Sequence, residues 1–262
     1  MRNDTTQVLL TASVVATAIF ALGACSTTLR TNLVTSTESS DCVVLLHGLN
    51  RSLRAMDPMA KGLQEAGFTT ANVGYPSQVA SIEELAPMAV NEGLEKCRET
   101  NSVQIHFVTH SIGGILLRYA HNESPIPELG RVVMLAPPNQ GSEIVDITRE
   151  WPGAELISGK AGLQLGTDKN SIPSQLGPVD FELGVIAGTR TISFFSAMLP
   201  NPDDGKVSVE RTKIGGMTDF LVVEKSHHYI VSSDIVIENT IAFLRDGSFL
   251  ESTDPDAVLL PH

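Results

Sequence analysis

The sequence predicts an α/β fold with a mainly parallel central sheet flanked by helices, and two observations support this. From residue 41 onward, apolar runs of strand length alternate with helical segments, which is the pattern of βα units. The first of these runs, CVVLL, is apolar throughout, as expected for a strand buried on both faces. With 262 residues, 42% hydrophobic and 18% charged, the chain is long enough for one sizeable core.

Six strands and four main helices follow one another along the chain. The predicted strands cover residues 42–46, 69–73, 103–109, 131–136, 185–187 and 220–223. The predicted helices cover residues 52–66, 82–98, 113–121 and 232–244, where apolar side chains recur at helical spacing. Residues 141–182 mix Gly, Pro, Ser and Asn with short apolar stretches. They indicate a small insertion or lid, a helix and loops above the sheet, between the fourth and fifth strands.

The first residues have the layout of an export signal. Residues 8–24 are uncharged and apolar and follow a short start containing Arg2, and the run before Cys25 resembles a bacterial lipobox. We therefore expect a signal peptide at 1–24, lipidation of Cys25 as the mature N-terminus, and a periplasm-facing outer-membrane lipoprotein of a Gram-negative bacterium, since Ser26 replaces the Asp that signals inner-membrane retention. A plain signal peptide or an uncleaved anchor helix are the alternatives, although seventeen residues are short for a span of about 20.

The rest of the chain divides into three parts. Residues 25–40 are rich in Ser and Thr and predict a flexible tether, residues 41–246 are expected to form the folded domain, and residues 247–262 a C-terminal tail. The net charge of −12 without any basic run excludes a nucleic-acid footprint and electrostatic attraction to anionic lipids. Any membrane attachment is therefore hydrophobic or covalent. The sequence does not indicate the oligomeric state.

Two cysteines remain after Cys25. Cys42 opens a predicted strand and Cys97 ends a predicted helix, and an oxidising compartment would let them pair. A disulfide between them and a pair of buried free thiols are both compatible with the sequence.

The strongest chemical signal is the segment Thr109-His110-Ser111-Ile112-Gly113-Gly114. It places a serine between a buried strand and a helix, which is the setting of a nucleophile elbow, and it predicts Ser111 as the nucleophile. Thr109 stands where the usual G-x-S-x-G pattern has glycine. The alternative is a serine that only caps a helix.

The loop after the first strand is placed to hold an oxyanion. His47-Gly48-Leu49 follows the strand directly, so we expect the backbone amides of Leu49 and Ile112 to be the oxyanion-hole donors. Gly48 would let the backbone turn, and His47 would support the loop rather than act as a base.

A serine nucleophile needs a histidine base and a carboxylate that orients it, and both occur downstream in the order acid, then base. Asp204 lies in a Pro-Asp-Asp-Gly loop after the fifth strand, and His227 follows the sixth strand. Their neighbours Asp203 and His228 remain open alternatives. Asp180 and Asp219 are fallback acids, and the other histidines are more simply structural or solvent-exposed.

These residues together resemble the lipase and esterase branch of the α/β-hydrolase superfamily, in particular small bacterial enzymes. The stretches that carry the resemblance are VVLLHGLNRS, Tyr75-Pro76-Ser77, IHFVTHSIGG, VVMLAPPNQGSE, GVIAGTR, DDGKVSVE, GGMTDFLVV and SHHYIV. It covers most of residues 41–246 and favours Asp204 and His227, because such enzymes have similar Asp-Gly-x-Val and Ser-His stretches. Residues 141–182 match weakly beyond Gly141-Ser142-Glu143.

The resemblance implies a carboxylic-ester hydrolase that forms an acyl-enzyme on Ser111 and needs no metal or organic cofactor. Its substrate would be a small-molecule or lipid ester, the latter if a lipid anchor tethers the protein to a membrane. An acyltransferase or thioesterase with the same triad is a second hypothesis. A catalytically silent lipoprotein that uses the fold as a scaffold is a third, because fold does not dictate function.

Overall fold

The computed structural model describes residues 29–37, 41–191, 198–250 and 258–259. Their central feature is an eight-stranded sheet in the order β1-β3-β2-β4-β5-β6-β7-β8, parallel except for the two edge strands. The strands are β1 Arg30–Val34, β2 Cys42–Leu46, β3 Thr69–Gly74, β4 Ile105–His110, β5 Leu129–Leu135, β6 Leu183–Gly188, β7 Asp219–Val223 and β8 Val258–Leu259. The α/β fold with a mostly parallel sheet flanked by helices is as predicted.

Helices cover both faces of this sheet. They are α1 Asp57–Glu65, α2 Ile82–Arg98, α3 Ile112–Glu123, α4 Glu143–Thr148, α5 Ala154–Leu163, α6 Ile172–Gln175, α7 Val209–Thr212 and α8 Asp234–Asp246. Side chains of α2 and α3 pack in one apolar core, and those of α1 and α8 pack in the other. The sheet is therefore buried between two helical layers.

Strand β2 shows why its sequence is apolar at every position. Val44 and Leu46 belong to the core under α2 and α3, whereas Val43 and Leu45 belong to the core under α1 and α8. Successive side chains of a strand point to opposite faces, so a strand covered on both sides has no solvent-facing position to fill with a polar residue.

Both edge strands fall in segments that the sequence assigned to other structures. Residues 30–34 were expected to belong to the flexible tether, and their pairing as a strand corrects that expectation for these residues; residues 258–259 lie in the predicted C-terminal tail. Strand β1 pairs antiparallel with β3, and β8 pairs antiparallel with β7. Strand β1 alternates exposed and half-buried residues and has no apolar run, so its pairing partner rather than its local sequence makes it a strand.

Two helical predictions also change in detail. The predicted helix 52–66 begins with a 3₁₀ turn, Leu53–Met56, before α1. The insertion 141–182 lies where it was expected, now between β5 and β6, but it holds three short helices, α4 to α6, rather than one. Gly159, at φ +64°, interrupts α5, so periodicity alone could not delineate it.

The first 28 residues, and with them the predicted signal peptide at 1–24 and Cys25, lie outside the described residues. Among the helices that are described, none is both long and apolar enough to cross a membrane. Cys42 and Cys97 form a disulfide, with 5.6 Å between their Cα atoms, that joins the start of β2 to the last turn of α2.

Candidate active site

Ser111 occupies a sharp turn between β4 and α3. Its backbone lies at φ 54°, ψ −124°, a conformation that costs a non-glycine residue about 1–3 kcal/mol. A Cβ on Gly113 would lie 2.7 Å from the carbonyl oxygen of Leu46, and one on Gly114 would lie 2.9 Å from the sulfur of Met134. The two glycines are required by this close packing, which is the geometry of a nucleophile elbow. Thr109, the departure from the usual motif, is fully buried beneath the turn.

The structure brings Ser111, His227 and Asp204 into one hydrogen-bonded chain. The Nε2 atom of His227 lies 3.1 Å from Ser111 Oγ, and its Nδ1 lies 2.7 Å from Asp204 Oδ2. A carboxylate can only accept, so Nδ1 carries the proton and Nε2 is free to accept the serine proton. This arrangement can activate the hydroxyl as a nucleophile.

Hydrogen bonds distinguish the two adjacent aspartates. Asp204 Oδ2 faces His227, while its Oδ1 accepts the amides of Lys206 and Val207, each at 2.9 Å. The neighbouring Asp203 uses its Oδ1 to accept the amide of Gly205 at 2.7 Å and the hydroxyl of Thr191 at 2.6 Å. Asp203 therefore shapes the loop, and Asp204 is the carboxylate presented to the histidine.

The alternative base and acids occupy other positions. His228 is exposed and packs edge-on against His227, with 6.0 Å between ring centroids. Asp180 lies 3.4 Å from His121, and Asp219 accepts the backbone amides of Phe220 and Phe249. In the described part of the chain, none of these three forms a hydrogen bond with Ser111, whereas His227 does.

The loop after β2 lies directly against the serine. A Cβ on Gly48 would lie 3.3 Å from Ser111 Cβ and 2.7 Å from His110 Nδ1, so only glycine fits without displacement. The amides of Leu49 and Ile112 donate no hydrogen bond to any acceptor in the described part of the chain. Two unused donors next to a nucleophile are what an oxyanion hole requires.

His47 supports this loop from within the protein. Its Nδ1 donates to the carbonyl of Gly48 at 2.8 Å, and its Nε2 accepts the amide of Tyr75 at 3.2 Å. The two rings stack at 4.0 Å, and the Tyr75 hydroxyl donates to the His47 carbonyl. Burial lowers the pKa of His47 to about 4, so the ring is neutral at pH 7 and can make both bonds.

A cavity of about 340 Å³ opens over Ser111. Its walls combine the carboxyl ends of the parallel strands with the insertion, and the lining includes the aliphatic side chains of Leu49, Ile144, Val145, Ile157, Leu165 and Val207. Among the described residues, no group of three His, Cys, Asp or Glu side chains is placed to hold a metal ion. The space suits an apolar chain bound next to the nucleophile.

His110 contributes more to the site than the sequence suggested. Its Nε2 donates to the carbonyl oxygen of His227 at 2.9 Å, and its ring lies 4.8 Å from the ring of His227. Burial lowers the pKa of His110 well below its ordinary value, so it remains neutral beside His227. The sequence feature that could have identified His110 is its position directly before the serine. No feature of the sequence pointed to Thr191, whose hydroxyl donates to Asp203.

Comparison with known proteins yields similarity in structure only. No family model and no curated protein matches the sequence. The mature lipase BlEst2 of Bacillus licheniformis superposes with a TM-score of 0.64 at 18% identity, over 84% of this chain and 98% of the lipase. Against the propeptide form of that lipase the TM-score is 0.69, and the chain spans only 55% of its length.

Other lipolytic enzymes share the architecture at similar distance. A monoacylglycerol lipase from Paleococcus ferrophilus gives a TM-score of 0.56 at 15% identity, covering 84% of this chain and all of the lipase. The phospholipase PlaB from Legionella pneumophila gives 0.57 at 16% identity, over 79% of this chain and 57% of its own. The chain thus has an α/β-hydrolase fold resembling bacterial lipases and esterases.

Proposed function

We propose that this protein is a serine hydrolase that cleaves carboxylic esters through an acyl-enzyme on Ser111. The observation that carries the proposal is the continuous hydrogen-bonded chain from Asp204 through His227 to a serine held in a strained elbow. A serine that merely capped α3 would need neither a histidine at its oxygen nor the positive φ.

In the first half of the reaction, Ser111 Oγ attacks the ester carbonyl carbon while His227 Nε2 takes the hydroxyl proton. The amides of Leu49 and Ile112 hold the negative oxygen of the tetrahedral intermediate. The carbonyl then re-forms as the C–O bond to the alcohol breaks, and His227 gives its proton to the departing oxygen. The product is an alcohol and an ester between the acyl group and Ser111.

In the second half, water replaces the alcohol. His227 takes a proton from the water as its oxygen attacks the acyl carbon, and returns that proton to Ser111 when the carboxylic acid leaves. Asp204 holds Nδ1 in the protonated tautomer and stabilises the transient imidazolium. Its two backbone amide donors fix the carboxylate in position for this role.

The lining of the cavity favours an acyl chain as the bound group. Side chains from the insertion, Ile144, Val145 and Leu165, line the cavity above Ser111. The structural neighbours include a lipase and a phospholipase, which supports lipid esters as the substrate class. An acyltransferase would use the same machinery, and competition between water and an added alcohol for the acyl group distinguishes it.

We also propose that the protein is exported and lipidated at Cys25. The sequence of residues 8–25 supports this. Incorporation of a labelled fatty acid into the wild-type protein, and its loss in Cys25→Ala, is the expected result. Equal incorporation in both proteins would contradict it.

A fluorophosphonate probe tests the proposed hydrolase directly. We expect covalent labelling of the wild-type protein, no labelling of Ser111→Ala, and normal labelling of Ser158→Ala, another cavity-lining hydroxyl without a histidine partner. Hydrolysis of short and long p-nitrophenyl esters should follow the same order. Failure to label the wild type would favour a silent scaffold, and equal ester turnover by wild type and Ser111→Ala would contradict the proposal.

A further inference from the structure

Strand β1 begins at the end of the sheet where the active site lies, which is the end formed by the carboxyl ends of the parallel strands. Strand β1 runs antiparallel to β3, so its first residue, Arg30, pairs with Gly74, the last residue of β3. Ser111 directly follows the equivalent end of β4. Three strand spacings separate β1 from β4, so Arg30 lies roughly 14 Å to the side of the nucleophile strand.

Little chain separates this entry point from Cys25. The predicted tether of residues 25–40 is shortened because β1 is bound to β3 over five residue pairs. The hydroxyl of Thr31 also donates to Glu92 of α2 at 2.6 Å. Five Cα steps join Cys25 to Arg30, which limits their separation to about 18 Å.

The rim of the cavity carries exposed apolar side chains on its insertion side. Leu156 is 86% exposed and Ile157 is 64% exposed, although Ile157 also lines the cavity. The carbonyl oxygen of Ile157 accepts the side-chain amide of Asn50 from the loop beside the oxyanion donors. Trp151, 44% exposed, lies in the same segment just before α5. We name the side chains of Trp151, Leu156 and Ile157 the apolar rim, with the exposed Glu155 in the same segment.

From these observations we propose that the apolar rim rests on the lipid bilayer that holds the acyl chains of Cys25, so that the active-site cavity opens towards that bilayer. The proposal rests on the lipidation proposed above. The short chain between Cys25 and Arg30 keeps the end of the sheet that carries Ser111 near the membrane. Transfer of the exposed apolar side chains from water into the bilayer is favourable in free energy. The net charge of −12 offers no general attraction to anionic headgroups, so apolar contact is the fitting interaction.

The single tryptophan of the sequence is a built-in probe for this contact. The lipidated full-length protein is reconstituted in phosphatidylethanolamine–phosphatidylglycerol vesicles whose acyl chains are brominated, and tryptophan fluorescence is measured. We expect strong quenching of Trp151. The control is the double variant Trp151→Phe/Val103→Trp. It moves the probe to a 70% exposed position just before β4, at the amino-terminal end of the parallel strands. No quenching is expected there.

Two further variants separate the contributions of the link and the rim. Inserting about 20 Gly and Ser residues between Thr28 and Leu29 gives the link a mean reach of roughly 25 Å and should reduce the quenching. Leu156→Ser should reduce the quenching as well, whereas Val103→Ser, at a 70% exposed apolar site at the opposite end of the sheet, should not.

The outcomes distinguish this proposal from the enzymatic one. Ser111→Ala should lose ester hydrolysis and keep the quenching, because membrane contact does not need the nucleophile. Equal quenching of Trp151 and of the tryptophan at position 103 would overturn the orientation, as would an unquenched Trp151, which would indicate that the rim faces water or a protein. Absence of acyl chains on Cys25 would overturn it too, and would leave the hydrolase proposal standing.

Discussion

The floor and the roof of the cavity are built differently. The floor is formed at the carboxyl ends of the parallel strands. There Asp204 and His227 are buried, and each nitrogen and oxygen of their side chains has a hydrogen-bond partner. The roof is formed by α4 and α5 of the insertion. Helix α5 exposes Leu156 and Ile157 to solvent. The difference indicates that the hydrogen-bonded geometry around Ser111 is held by the sheet, whereas the residues that line the cavity above it are on short elements with less support from the sheet.

The far end of the insertion is anchored more firmly. Arg118 of α3 is buried and donates to the backbone carbonyls of Asn139, Pro173 and Gly177. Burial lowers the pKa of this guanidinium to about 10, so it remains charged at pH 7. The insertion is thus held at α6, and its cavity-facing helices lie at the other end.

The largest effect on kcat is expected from His227, the proposed general base in the floor of the cavity. His227→Ala should lower kcat by about 10⁶, because the serine loses its proton acceptor. The matched variant His228→Ala, which removes an exposed ring without a hydrogen bond to Ser111, should change kcat by less than about tenfold. Steady-state ester hydrolysis measures both, and similar losses in the two variants would invalidate the assignment.

The pair of aspartates gives the next largest effect. Asp204→Asn should lower kcat by about 10⁴, because the amide no longer fixes the tautomer or stabilises the imidazolium. Asp203→Asn keeps an oxygen that can accept from Gly205 and Thr191, so a kcat within about tenfold of wild type is expected. A reversed order in the kinetic assay would make Asp203 the acid.

Gly48→Ala tests the oxyanion loop. The added Cβ would lie 2.7 Å from His110 Nδ1, so the loop must shift away from Ser111, and kcat should fall by about 10²–10³. In Gly215→Ala the nearest atom lies at 3.4 Å, so that control should keep full activity. An undiminished kcat in Gly48→Ala would show that the loop does not serve the oxyanion.

His47 should make the stability of the folded protein sensitive to acid. Its pKa of about 4 in the folded protein lies below the ordinary 6.5, so between these values the unfolded chain binds the proton more readily. Stability therefore falls as pH falls through this range, and His47 accounts for about 3 kcal/mol of the loss. Urea unfolding of His47→Gln at pH 7 and pH 4 should show correspondingly less acid dependence than wild type. The same dependence in both would refute this.

The smallest effect is expected in the roof. Ile144→Ala widens the cavity in α4 and should change the ratio of kcat/KM for long and short acyl esters by about tenfold. Turnover of acetyl esters should change little, because no triad contact is lost. Ile126→Ala, at a buried site away from the cavity, is the control and should leave the ratio unchanged. An unchanged ratio in Ile144→Ala would mean that the roof does not select the acyl chain.

Much of the molecule was determined by local sequence. The inner strands were predicted because strands buried on both faces are mainly apolar, and CVVLL in β2, apolar at every position, is the clearest case. Ser111 was identifiable because the elbow needs small residues after the serine, and Gly113 and Gly114 supply them.

Only the tertiary structure decided the questions that depend on distant partners. Asp203 and Asp204 differ by one position, and it is the hydrogen bond to His227, 23 residues away in the chain, that separates them. The same holds for His227 and His228. Strand β1 exists because β3 offers a free edge, which no property of residues 30–34 announces. Local sequence carries periodicity and backbone constraints, whereas pairing and side-chain contacts depend on residues brought together only by folding.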